Sequence, residues 1–315
     1  GVKLHGKGFI VTSEEAVALG LGVKPGVEKH IRPFRNGRDL TVKPRGDYVI
    51  DLLGLQAEEV REQHPEIYQW VSERVKPERD AKAHTKDGAG YAKRWWQFGK
   101  PRQELRNVLV GLPRYIATVK TAKHRLFQFL DTDILPESKL IAIAHNDACC
   151  LGILSSRMHI TWAVAAGSAL EDRPTYVKTA SFEKFPFPVL NEEQIAKIDT
   201  LAERIDTHRK RQQAEHPSLT LTGMYNVLEM LRAGKKIHDS PKEKAIYEQG
   251  LLGTLREYHD KLDRAVFEAY GWPDLADKLV GCPGATTPLP DKPAEQAEAE
   301  EELLMRLVAL NKQRA

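Results

Sequence analysis

The side chains best equipped for chemistry in this 315-residue chain are cations interleaved with tryptophans. Residues 91–125 read YAKRWWQFGKPRQELRNVLVGLPRYIATVKTAKHR. Trp95 and Trp96 sit among Arg94, Lys100, Arg102 and Arg106, and the apolar run 115–119 opens into Lys120, Lys123, His124 and Arg125. Cations in such numbers neutralise phosphates, and an aromatic ring among them can stack on a base or cover an arginine. Two adjacent tryptophans cannot point the same way on a regular element, so at most one is free for that role; both can equally be packing residues. His124 lies between two like charges, which disfavour its charged form. It suits a base-edge or phosphate contact better than a general base. His159, beside Trp162 on an apolar segment, reads as a satisfied core histidine.

Other chemistries lack their residues. A phosphate cradle needs a glycine-rich strand-to-helix turn, and neither GxGxxG nor GxxxxGK[ST] occurs. The Asp/Asn-Pro-Pro-aromatic loop that holds a target amine during methyl transfer is absent, as are HExxH and CxxC. Asp80-Ala81-Lys82 offers half of a metal-dependent nuclease set without a credible partner carboxylate. No catalytic residue and no metal ligand is assigned, and no cofactor is expected in this chain.

Charge is unevenly placed. Between residues 74 and 125 there are fourteen Lys or Arg against four Asp or Glu, an excess of ten. The chain as a whole carries only +3, so the remainder sums to about −7. A local excess of this size points to a polyanionic partner, the alternative being a solvated charged face. A composition 41% apolar and 29% charged is ordinary for a soluble protein. No apolar run is long enough to span a bilayer. Three cysteines without metal spacing read as a reduced, cytoplasmic protein. The start at Gly1, without a signal pattern, is what an excised or processed fragment would show.

The elements that must position these groups read as α+β. Thr12 or Ser13 is a helix cap, Asn36-Gly37 a tight turn between two short runs, and 47–54 a strand with Asp51 at its middle. That carboxylate is either catalytic or, as is commoner, capping a turn or pairing with an arginine. Residues 57–80 predict one amphipathic helix with Ile67, Trp70, Val71 and Val75 as its core stripe, and 82–90 a loop. Strands are predicted at 115–119, 126–130 and 140–144, and a helix at 148–166 that holds Cys149 and Cys150 as small hydrophobes. Phe185-Pro186-Phe187-Pro188 is a boundary. Asn191 with Gln194 forms a capping box for a mostly helical region, with helices at 192–214, 222–231 and 243–270. The division expected is a mixed α/β domain at 1–190, a helical domain at 191–281, a mobile proline-rich linker at 282–294 and a terminal helix at 295–315.

Several strings together resemble one family. VKPERD (75–80), KRWWQFGKPRQEL (93–105), TVKTAKHRLFQF (118–129), LGILSSRMHITWA (151–163), GSALEDRPTY (167–176) and SFEKFPFP (181–188) are similar to the MmeI-like type IIG (IIL) restriction–modification enzymes. LDRAVFEAYGWPDL (262–275) and LLMRLVALNKQRA (303–315) extend the resemblance over nearly the whole chain. In that family one polypeptide holds a nuclease, an adenine-specific methyltransferase, a target recognition domain and a helical C-terminal part. The matching strings belong to the last two. The resemblance therefore implies a phage-defence module that binds double-stranded DNA and chooses the duplex sequence to be methylated, and in a fused enzyme also cut. The catalytic loop and S-adenosylmethionine would belong to an upstream methyltransferase domain of the parent polypeptide. The same module in a free-standing methyltransferase would look identical.

The resemblance also implies where bases are read: just before the TAKH string, at Ser138 and Lys139, and at Glu171, Arg173 and Thr175, with His124 added from its position. The chemistry agrees, since Arg and Lys reach guanine acceptors and Glu accepts from the cytosine amine. On an extended loop Glu171 and Arg173 project to one side; the alternative is a surface ion pair with each other, contributing roughly 0–1 kcal/mol. Lys76, Arg79, Arg94, Lys120, Thr121, Lys123 and Arg125 are the candidates for the DNA backbone, whose contacts position without reading. The competing function is a helical protein-interaction scaffold whose basic face is incidental.

Overall fold

The structure is a computed structural model and describes residues 1–170, 173–237 and 239–314. Its strands are β1 (Ile10–Val11), β2 (Ile31–Arg35), β3 (Tyr48–Ile50), β4 (Arg114–Val119), β5 (Phe127–Asp131), β6 (Leu135–Pro136), β7 (Leu140–Ile143), β8 (Ser168–Leu170) and β9 (Arg173–Thr175). Helices outnumber them, so the class is the mixed α/β followed by helices that the sequence implies.

Two compact units divide the chain. The first comprises Gly1–Asp39, Pro44–Pro113 and Asp131–Ala144; the second comprises Leu40–Lys43, Arg114–Leu130 and His145–Ala315. The cut does not fall at residue 190, because residues 145–190 pack with the helices that follow them.

In the first unit β1, β3, β2 and β6 form one sheet in that order. β2 runs antiparallel to β3, with Ile31 opposite Ile50, and parallel to β6, with Phe34 opposite Leu135. Its core gathers Phe9, Ile31, Phe34, Val49 and Ile50 with Ile67, Val71, Val75, Trp95 and Phe98. The predicted helix at 57–80 is three helices, Ala57–Gln63, Pro65–Arg74 and Lys76–Ala81, because Pro65 and Pro77 each fit only a first turn. Asn36-Gly37 does not turn a hairpin. Asn36 and Asp39 cap each other, Asn36 N to Asp39 Oδ2 at 2.8 Å and Arg38 N to Asn36 Oδ1 at 2.9 Å, and start the helix Gly37–Thr41. Residues 88–93, expected as loop, also form a short helix. Asp51 takes the commoner of its two expected roles, pairing with an arginine. It is buried and paired through both oxygens with Arg106, Nη2 to Oδ1 at 3.1 Å.

In the second unit the helix Ala148–Ser155 is buried on every side and lies against Glu192–Glu215. Gly152 permits the approach: a Cβ there would stand 2.6 Å from Ile198 and 3.2 Å from Ala202. The predicted helix at 148–166 breaks at Ser156, whose hydroxyl caps the next helix, Arg157–Ala166, and the two are bent by 62°. Among the described residues no single helix is long and apolar enough to cross a membrane. The predicted helix at 243–270 likewise splits into Pro241–Gly250 and Leu252–Tyr270 around Leu251, which adopts φ 44°. The capping box at Asn191 and Gln194 forms as its spacing predicts. The first residues of the supposed mobile linker are tied down. The buried Arg157 donates to the carbonyls of Cys282 (2.7 Å) and Pro283 (3.1 Å) and pairs with Glu300 at 2.8 Å, joining that segment to the terminal helix Ala294–Arg314.

Candidate nucleic-acid interface

In the second unit, two of the segments singled out in the sequence meet. β4 leads into the TAKH turn, and β9 carries Arg173 and Thr175. They are stitched by Tyr176 N to Lys120 O at 2.7 Å, by a bridge between Thr121 and Thr175, and by a 3.0 Å contact of those two hydroxyls. Lys120, Lys123 and Arg173 are exposed, and Thr121 and Thr175 half-buried, along this junction. Lys123 Nζ donates to Asn226 Oδ1 at 2.7 Å. Cations on a scaffold fixed this way keep their charge at a set position, as phosphate binding asks.

Arg125 holds the junction from behind. Its guanidinium is only 2% exposed, which removes it from the expected DNA-backbone contacts. It donates to Thr118 Oγ1 (3.1 Å), the Val119 carbonyl, Lys120 O (3.4 Å) and Pro174 O (2.9 Å). One planar fork thus ties the end of β4 to the middle of β9, a task for which the rigid geometry of Arg is suited. Burial draws its pKa down to about 10, so it is still charged at neutral pH, solvated by carbonyls. Behind it, Tyr176 Oη lies 3.0 Å from His159 Nε2. Burial, with the charge of Arg125, pushes His159 down to about 3, so this histidine is neutral and internal, as its position on an apolar helix suggested.

His124 is corrected in the same way. It is 4% exposed and held between Thr286 Oγ1 and Asn226 Oδ1, both at 2.9 Å, and desolvation lowers its pKa. It braces the turn, and at this burial both ring nitrogens are spent on internal partners. Glu229 completes the brace by accepting from Thr286 N (3.2 Å) and Gly284 N (2.6 Å). Asn226, Glu229 and Thr286 carry no signal in the sequence, since they lie on helix and linker segments far from the turn they support.

In the first unit Arg79 is the third correction. At 3% exposure it donates to the carbonyls of Leu4, His5, Tyr91 and Arg94 at 2.8–3.2 Å, and its pKa falls to about 10 through burial. Lys76 is half-buried and pairs with Asp80 at 2.6 Å; Arg94 is exposed. Of the two tryptophans, Trp95 is buried in the core, and Trp96 is half-buried with Nε1 donating to Leu55 O at 2.8 Å, so both serve packing. Ser138 donates to Glu137 Oε1 at 2.6 Å, and Lys139 is exposed beside it. Both line a cavity of about 900 Å³ together with Lys3, Lys7 and Arg38. Glu171 lies outside the described residues.

Three comparisons bear on this arrangement. The family model described as MmeI, target recognition domain, matches residues 2–189. A solved structure of the type IIL restriction–modification enzyme MmeI in complex with DNA is similar over 99% of this chain, with a TM-score of 0.67 and 21% identity. The chain spans about a third (35%) of that enzyme's length. No curated protein matches the chain.

Proposed function

The chain belongs to the MmeI target recognition domain family, and from that premise we propose that it is the sequence-reading module of an adenine-N6 DNA methyltransferase or fused restriction–modification enzyme. It binds double-stranded DNA and presents one site for methylation, and in a fused enzyme for cleavage, by parts of the polypeptide beyond these 315 residues. Methyl transfer from S-adenosylmethionine belongs to those parts, in a cytoplasmic enzyme. Lys76, Arg94, Lys120, Thr121 and Lys123 contact phosphates. Ser138, Lys139, Arg173 and Thr175 approach base edges, with Glu171 joining them on its sequence position alone. Arg79, His124 and Arg125 are supports and touch no DNA.

The observation that carries this reading is the junction in the second unit, where Lys120, Thr121 and Lys123 stand against Arg173 and Thr175 over one buried guanidinium. The test is duplex binding across salt concentrations. Affinity should fall linearly in log salt. Lys123→Ala should weaken all duplexes alike and reduce the slope by about one, whereas Arg173→Ala should cost about 1–3 kcal/mol at one base position only. Equal losses for Arg173→Ala on selected and scrambled duplexes would remove its readout role. The scaffold reading draws on Met305 and Val308, exposed one turn apart on the terminal helix. Binding to heparin no stronger than to an uncharged matrix would favour it.

A further inference from the structure

We propose that the cavity of the first unit binds one unstacked nucleotide of a nucleic-acid strand. Its lining includes a stacked aromatic pair: the rings of His5 and Tyr91 are 4.6 Å apart and inclined by 26°. Both line the cavity, and His5 is exposed. Lys3, Lys7, Arg38 and Lys139 stand around the pair, exposed and without a carboxylate partner among the described residues. The acidic residues of the lining are partly engaged elsewhere. Glu78 pairs with Lys82 at 2.9 Å, Glu137 accepts from Ser138 and Lys139, and Asp87 remains. Cations therefore outnumber available carboxylates around an aromatic surface. That combination suits a base with its phosphates.

The backbone gives the second, independent observation. His5 adopts φ 53°, a left-handed conformation uncommon for any residue but glycine. It is held there by the buried Arg79, which donates to the carbonyls of both Leu4 (2.8 Å) and His5 (3.2 Å). Gly99 makes room, since a Cβ at that position would strike the imidazole at 2.4 Å. Strain over-determined by a buried arginine and a missing side chain is the form in which folds keep a side chain aimed at a ligand. Burial, helped by Lys3, Arg79 and Lys100, lowers the pKa of His5. At neutral pH the imidazole is thus an uncharged ring, better for stacking than for ion pairing.

Lys139 is common to this site and the duplex reading, whereas His5 and Tyr91 belong to this site only, so the two proposals can fail separately. The experiment titrates the 315-residue chain with a five-nucleotide single strand carrying 2-aminopurine, read by fluorescence quenching, with inorganic tripolyphosphate as competitor. Stacking should quench the probe, and tripolyphosphate at equal charge should displace little of it. His5→Asn keeps a residue that tolerates left-handed φ but removes the ring. It should lose about tenfold in affinity and most of the quenching, in keeping with the stacking contribution of one base. Lys3→Ala combined with Arg38→Ala should weaken binding without abolishing quenching at saturation. Arg173→Ala should leave the single-strand titration unchanged. Binding by His5→Asn within twofold of the parent, full displacement by tripolyphosphate, or equal loss in Arg173→Ala would each overturn the assignment.

Discussion

Arg125 separates two accounts of the basic stretch that runs into it. If it faced phosphates, its removal would act like that of any surface cation. The structure instead makes it the fastener between β4 and β9, and the cost of losing it can be worked out. Of its four acceptors, Lys120 O keeps the Tyr176 amide and the Thr118 hydroxyl keeps the Leu126 carbonyl. The Val119 and Pro174 carbonyls lose their guanidinium donor. Two hydrogen bonds from a charged donor contribute roughly 1.5–3 kcal/mol each. Part of that is offset, because Arg125→Met no longer buries a charge whose desolvation already lowers its pKa. A net loss of about 2–4 kcal/mol in unfolding free energy is expected. Arg125→Lys keeps the charge, but its donors radiate from one atom and cannot reproduce the fork. It should cost less stability and still loosen β9, lowering discrimination between a selected duplex and a scrambled one about tenfold. The salt slope should stay as it was, because Lys120 and Lys123 remain. Urea denaturation and competition binding across salt concentrations measure both. An unchanged denaturation midpoint for Arg125→Met, or a slope reduced as by Lys123→Ala, would refute the fastening role.

Other expectations follow the same logic. Asp51→Asn leaves the half-buried Arg106 against an uncharged partner and should destabilise by about 1–3 kcal/mol with no change in salt slope, measured by denaturation and duplex titration. His159 has a folded pKa of about 3 against an ordinary value of 6.5, so the unfolded chain takes up its proton first as pH falls. The stability it confers is complete above pH 6.5 and is lost between pH 6.5 and 3, by up to about 1.4 kcal/mol per pH unit. Asp263, raised by burial to about 6, works in the opposite sense: its contribution is complete below pH 3.8 and is lost as pH rises through 6. His159→Gln should therefore flatten the acid side of the stability profile relative to the parent chain, and an imidazolium signal from His159 at pH 5 by NMR would contradict the scheme.

Helix ends were legible from local spacing. Asn191 and Gln194 make the capping box their separation calls for, and Thr12 with Glu15 does the same near the start. The core stripe Ile67, Val71 and Val75 is buried as periodicity says, although two prolines cut the predicted helix into three. Asp51 found an arginine, which buried carboxylates usually do. The long unusual strings sufficed for the family over residues 2–189.

What those strings left open was which basic residues meet solvent. Lys123 and Arg125 are two positions apart, yet one is exposed and the other sealed inside. Arg79 is buried because carbonyls from 74 and 75 positions earlier close around it, and Arg125 because Pro174 arrives from 49 positions later. The linear chain fixed caps, stripes and kinship, since these depend on neighbours within a few residues. The fate of each arginine waited for the fold, since only distant backbone oxygens brought within hydrogen-bond reach can replace the water that a guanidinium gives up.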